Sequence, residues 1–218
     1  MKRSSRASVR VPVRATVLAT ALATVLPLAL AISTPAPAGE KAPAVERMKV
    51  GGVSPEEEAA AEKYFTNTEL LDQHGRARHF YDDLLKRRKV LINFAFTACM
   101  GACPVMTQNL AKVQEMLRQR GEQVSILTIT VDPENDTPAV LKQYATKYKA
   151  GPGWSFLTGT PEKVSAVLQL LGGKARQPSE HTAKLLIGDT STGMWVKTVA
   201  TESPETIVQL VQHLNDPK

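Results

Sequence analysis

Two cysteines are all the thiol chemistry that 218 residues provide. With no third cysteine, a structural zinc site, which wants four strong ligands, is disfavoured. No internal repeat is visible, which argues against a solenoid. After one uncharged, mostly apolar run at residues 15–32, no second run of comparable length follows. The rest of the chain is therefore expected to be soluble or singly tethered. Charge of one sign is also scarce once the N-terminus is set aside. Beyond residue 38 the chain holds 22 Lys and Arg against 21 Asp and Glu. Such a balance gives no whole-chain electrostatic footprint for nucleic acid. The local run Lys86-Arg87-Arg88-Lys89 reads as a solvated turn before a buried strand.

The N-terminus has a composition of its own. Lys2, Arg3, Arg6, Arg10 and Arg14 form a basic stretch ahead of the apolar run, and Ala36-Pro37-Ala38 supplies small residues of the kind a signal peptidase accepts. Residues 1–38 read as a signal peptide or a retained membrane anchor, with cleavage after Ala38 favoured because the run is Ala/Thr-rich and broken by Pro27. Either way the remainder is expected to be exported, periplasmic or held at the inner membrane. Residues 39–53, rich in Ala, Pro and Gly and without a period, read as a flexible tether. Residues 54–218 are then one domain, long enough to build a core without a covalent staple.

Within that domain, Ser54-Pro55 followed by three glutamates predicts a short helix. Residues 68–71 and 76–81 predict a hairpin around Asp72-Gln73-His74-Gly75. The pattern then alternates. Apolar strands are expected at 90–96 and 124–131, and a short one at 155–157. Helices are expected at 104–120, with Val105, Met106, Leu110, Val113, Met116 and Leu117 on one face, and at 137–149 and 160–173. A second hairpin (184–187 and 195–199) and a last helix from Ser203-Pro204 follow. This order predicts an α/β fold, a thioredoxin-like mixed central sheet flanked by helices, with the first hairpin as an N-terminal extension.

The chemistry concentrates at Cys99-Met100-Gly101-Ala102-Cys103, between the first buried strand and a helix. Two thiols so placed can close a small redox-active disulfide or present two soft ligands to one metal ion. A static structural disulfide is the third reading, and the ordinary one in an oxidising compartment. The helix N-terminus is expected to favour thiolate and to lower the pKa of Cys103 below about 8.5.

Phe96-Thr97-Ala98-Cys99-x-x-x-Cys103-Pro104 and the stretch Thr130-Val131-Asp132-Pro133-Glu134-Asn135-Asp136-Thr137-Pro138 resemble the Sco/SenC proteins. So do Gly153-Trp154-Ser155-Phe156-Leu157-Thr158-Gly159 and the late His181. The resemblance covers about residues 65–214. It implies a thioredoxin-like, exported copper protein, Cu(I) or Cu(II), that serves assembly of the dinuclear copper centre of cytochrome c oxidase. Its partners would be the oxidase's copper-site subunit and a copper donor protein. Carried over by position, Cys99, Cys103 and His181 match the metal ligands. Two thiolates and an imidazole do suit copper, and His181 falls just before a strand expected to be central. The insert Met100-Gly101-Ala102 departs from the family, which often has Pro and acidic residues there, so copper affinity and redox partner are expected to differ.

His74, His79 and His213 read as surface residues. Met106 reads as core, whereas Met100 lies in the loop and could reach a bound copper. Asp132 and Asp136 read as turn-forming and helix-capping, with support of the site as a lesser role. The competing function is a thiol–disulfide oxidoreductase acting through Cys99 and Cys103. Thioredoxin-type enzymes, however, use C-x-x-C and a cis-proline facing the pair, and here Pro178 is displaced upstream of His181. A peroxidase reading fails because Ile92 and Phe96 stand where Pro and Thr would be needed.

Overall fold

A computed structural model describes residues 46–49 and 54–214. The leader and most of the tether lie outside the described residues. Eight strands form one mixed sheet: β1 (Glu46–Lys49), β2 (Glu69–Asp72), β3 (Ala77–His79), β4 (Lys89–Ala95), β5 (Val124–Thr130), β6 (Trp154–Thr158), β7 (Lys184–Asp189) and β8 (Met194–Val199). Their order across the sheet is β1-β8-β7-β4-β5-β6-β2-β3. β4, β5 and β6 run parallel, and every other pairing is antiparallel.

β4 sits in the middle, paired with β5 on one side and β7 on the other. Its residues alternate between two cores, which is why it reads as a continuous apolar run. Leu91 joins a cluster with Met106, Leu110 and Val113 of α2 (Ala102–Gln119), Tyr144 of α3 (Pro138–Lys147) and Val208 of α5 (Pro204–His213). Val90, Ile92 and Phe94 join the opposite cluster with Phe65 of α1 (Pro55–Phe65), Phe80, Leu84 and Val164 of α4 (Pro161–Leu170). Helices thus cover both faces.

Three helices share one start signal. Thr137, Thr160 and Ser203 each accept a hydrogen bond from a backbone N–H three residues on, and each is followed by proline. α2 does not. Its cap position is Gly101, which has no side chain to offer, and no acidic residue lies in its first turn. The helix that begins at the cysteine motif is thus left without a side-chain cap.

Three expectations change. Glu46–Lys49, placed in the tether, pairs with β8 as an edge strand. Strand addition at an open edge runs on main-chain hydrogen bonds and needs no apolar period to announce it. The first hairpin's second strand is shorter than expected, because Phe80–Leu85 forms a π-helical turn that buries Phe80, Tyr81, Leu84 and Leu85. Their spacing is helical rather than alternating, and Asp83 accepts from the His79 N–H at 2.7 Å to close the turn. Val105 is exposed, because the buried stripe of α2 runs Cys103, Met106, Thr107, Leu110, Val113, Leu117.

Gly188 in β7 lies directly across from Trp195, and a Cβ there would overlap the indole ring. Gly188→Ala should therefore destabilise the fold by about 1–3 kcal/mol, the usual penalty of overpacking a filled site. Urea unfolding of the two forms measures this, and an equal midpoint would contradict the packing described.

Candidate metal and thiol site

β4 ends at Ala95 and hands the chain to a short loop carrying Cys99. The Cys99 N–H donates to the Phe96 carbonyl at 3.2 Å, a turn that brings Cys99 back toward α2. Cys103 is the second residue of α2 and is fully buried, whereas Cys99 is half-buried. His181 arrives from the other side of β4, at the end of a 3-10 turn (Pro178–Glu180) that leads into β7. β7 pairs with β4, so the sheet brings a late histidine to the loop that follows an early strand.

The ligand-capable atoms of Cys99, Cys103 and His181 lie within 4.8 Å of one another. Both cysteines are free thiols. The Cys103 sulfur is 3.1 Å from His181 Nε2, and His181 Nδ1 is 2.9 Å from the Pro178 carbonyl. A carbonyl can only accept, so Nδ1 carries the proton and donates. The Nε2 lone pair then faces the sulfur and accepts from the Cys103 S–H. Phe96 meets the His181 ring edge-on at 5.4 Å between centroids, which limits its rotation.

The electrostatics overturn one expectation. The Cys103 thiol is raised from 9.0 to about 12, chiefly by burial, with the adjacent Cys99 sulfur adding to the effect. Backbone hydrogen bonds at Phe96 and Cys103 pull the other way and lose. Desolvation of a buried thiolate outweighs the partial charge of a helix N-terminus. Below it, Thr107 donates to the Cys103 carbonyl at 2.8 Å and lies 3.0 Å from the Tyr144 hydroxyl. Burial also raises the pKa of Tyr144.

Other candidates separate cleanly. Met100 is 97% exposed, so its thioether faces solvent rather than the cluster. Met106 is core. His74, His79 and His213 are exposed. The basic run, which leads into β4 and ends on its first residue, is exposed or half-buried and largely ion-paired: Arg87 with Glu58, Lys86 with Glu58 and Asp82, Lys89 with Glu122. Asp132 shapes the turn after β5, accepting from Asn135. Asp136, in contrast, is buried and bonds to Thr97 and Thr130. The Pro178 carbonyl, Phe96 and Thr97 also contribute to the site, roles that their residue types do not announce. A carbonyl carries no side-chain signal, and the two others stand inside the motif without a chemistry of their own to mark them.

The SCO1/SenC family model matches residues 56–215. The chain belongs to the SCO1/SenC family. A SCO2-like protein of Rickettsia felis is 35% identical over 99 residues, a match that covers 45% of this chain and 46% of the relative. The chain thus spans about half the length of the curated relatives it matches first. The structure of BsSco, described as a member of the Sco family of cytochrome c oxidase assembly proteins with a disulfide switch, aligns with a TM-score of 0.58. It is 26% identical, and the alignment covers 67% of this chain and 90% of BsSco. Yeast Sco1 with copper bound aligns with a TM-score of 0.57 at 26% identity, covering 69% of this chain and 92% of that one. The thioredoxin-like sheet flanked by helices is the fold these SCO1/SenC structures share. No helix among the described residues is long and apolar enough to cross a membrane.

The two thiols should differ in reactivity. In the reduced protein at neutral pH, iodoacetamide should modify the half-buried Cys99 first, while Cys103, buried and held as a thiol, reacts slowly. The unfolded thiol ionises near 9 and the folded one near 12, so the stability this group contributes is intact below about pH 9 and is lost as pH rises toward 12. Peptide mapping after timed alkylation reads the order; equal rates at both sulfurs would contradict the burial.

Proposed function

We propose that this protein is an exported copper-binding protein that delivers copper to, or assembles, the dinuclear copper centre of cytochrome c oxidase. The observation that carries the reading is the convergence of two free thiols and an imidazole nitrogen within 4.8 Å. This donor set is soft and suits Cu(I), and the imidazole extends it to Cu(II). The solved copper-bound state of yeast Sco1 supports the choice of metal.

The chain's own residues act as follows. Cys99 and Cys103 hold copper as thiolates, and His181 supplies Nε2, the nitrogen left with a lone pair in the tautomer whose Nδ1–H donates to the Pro178 carbonyl. Uptake displaces two protons, that of the Cys99 thiol and that of Cys103, which otherwise faces His181 Nε2. Cys99 is the half-exposed ligand and is the sulfur a copper donor or the oxidase's copper-site subunit meets first. Residues 1–38 direct export, to the periplasm or the face of the inner membrane, and residues 39–45 tether the domain where the leader is retained.

The same pair supports a second reading, a thiol–disulfide oxidoreductase. Two free sulfurs this close can pass two electrons to a partner's disulfide. A Cys99–Cys103 bond forms, the partner's S–S bond breaks, and the two thiol protons end on the partner's sulfurs. Copper binding and disulfide formation consume the same thiolates, so the two states exclude each other. A reductase of the oxidase's own copper-site cysteines is compatible with both.

Reduced protein should bind one copper per chain. Cys99→Ser or Cys103→Ser should abolish tight binding. His181→Ala should weaken Cu(II) more than Cu(I), which two thiolates still hold. Because a proton must leave a thiol held near 12, affinity should fall as pH drops. Competition titration with a Cu(I) chelator measures each case; full occupancy in the double cysteine variant would overturn the copper reading.

A further inference from the structure

Asp136 is 1% exposed, and its hydrogen bonds run to Thr97 and Thr130 rather than to a sulfur or an imidazole. β4 and β5 pair in parallel up to Ala95 and Thr130, and the Val131 N–H continues the ladder by donating to the Ala95 carbonyl at 3.0 Å. The next rung of a parallel ladder would send the Thr97 N–H to the Val131 carbonyl. The Asp136 carboxylate takes that N–H instead, at 3.2 and 3.3 Å to its two oxygens. The Thr97 hydroxyl donates to Oδ1 at 2.5 Å, and the Thr130 hydroxyl donates to Oδ2 at 2.5 Å. Charge-assisted bonds of this kind are the strong ones.

Thr97 stands between two residues that matter. Cys99 lies two positions on. Phe96 lies one position back, and its ring meets the His181 imidazole edge-on. Asp136 is itself held by the turn after β5, where its N–H donates to the Asp132 carbonyl at 2.9 Å. One buried carboxylate therefore ends β4, launches the cysteine loop and fixes the backbone on which Phe96 sits.

We propose that Asp136 is a positioning residue for the Cys99–Cys103–His181 cluster, acting through Thr97. It touches none of the three. It sets where Cys99 leaves the sheet and, through Phe96, how far His181 can turn. The arm of the test that uses copper rests on the function proposed above; the metal-free arm does not.

The test uses the full chain in four forms: unaltered, Asp136→Ala, Asp136→Asn and Thr97→Val. In the metal-free arm the Cys99–Cys103 disulfide is equilibrated with reduced and oxidised glutathione, and each form is also melted. Freeing the loop lowers the effective concentration of one sulfur at the other, so Asp136→Ala should shift the equilibrium toward the dithiol by about tenfold, equivalent to the net worth of about one hydrogen bond. Asp136→Asn keeps one acceptor oxygen and should recover part of the shift. Thr97→Val loses only the hydroxyl bond and should shift the same equilibrium by about threefold with little change in melting. In the copper arm, Cu(II) added to the reduced form should give a weakened sulfur-to-copper charge-transfer band in Asp136→Ala. An unchanged disulfide equilibrium in a folded Asp136→Ala overturns the proposal. Should Asp136→Ala fail to fold, an unchanged equilibrium in Thr97→Val overturns it equally. Absence of copper binding by the unaltered chain would sink the copper reading and leave the metal-free arm to decide this one.

Discussion

β4 is hydrogen-bonded on both sides from Lys89 to Asn93, to β5 in parallel and to β7 in antiparallel register. That double pairing is the constraint on which the site depends. A strand so held cannot drift in register without moving the side chains of two cores at once, because its residues alternate between them. Its C-terminal end is therefore a fixed point. The cysteine loop leaves from there. His181 reaches the same point because β7 runs antiparallel beside β4 and its entry lies at β4's exit. Residues 78 apart in sequence meet at 3.1 Å through sheet geometry, with no local signal to bring them together.

Two opposing effects meet at that point. A helix N-terminus attracts negative charge, and α2 has no side-chain cap at Gly101 to meet that pull. Burial repels the same charge, and for Cys103 burial wins. The result is a thiol kept protonated against an imidazole whose lone pair is ready to accept. Such a pair stores the proton locally: a cation that takes the sulfur need only displace it. Cys99, whose sulfur lies beside that of Cys103, is less buried and is the more accessible of the two.

Much of this was legible in the sequence, for identifiable reasons. The Thr-Pro and Ser-Pro caps at Thr137, Thr160 and Ser203 announce three helix starts by local chemistry. The apolar runs of β4 and β5 announce strands buried on both faces. The pairing of Cys99 with Cys103 follows from spacing, and His181 followed from resemblance combined with a predicted central strand. What stayed hidden depends on tertiary contact. The thiol pKa was misjudged because helix position can be read along the chain, whereas burial cannot. The capture of Glu46–Lys49 by β8 uses main-chain groups that every residue has. In sequence Asp132 and Asp136 look alike, both turn-forming and helix-capping with support of the site as a lesser role; only burial and the two threonines beside Asp136 separate them.

The asymmetry of the cluster bears on how cargo could leave it. Cys103 and His181 are anchored, one by the buried face of α2 and the other by Pro178 and Phe96. Cys99 hangs on a loop whose inner end is clamped at Thr97 and whose outer part, Met100 and Gly101, is exposed. Ligand exchange between proteins needs one donor that can be replaced while the others hold. A fully buried three-ligand cage would bind tightly and release slowly, and a fully exposed one would lose its metal to any competing thiol. With Met100 facing solvent and an insert free of charge, the Cys99 side is the one from which, in the proposed copper delivery, a partner's sulfur would approach. The position of the Cys99 sulfur then governs that exchange, and the Asp136 carboxylate beneath the loop sets it through Thr97.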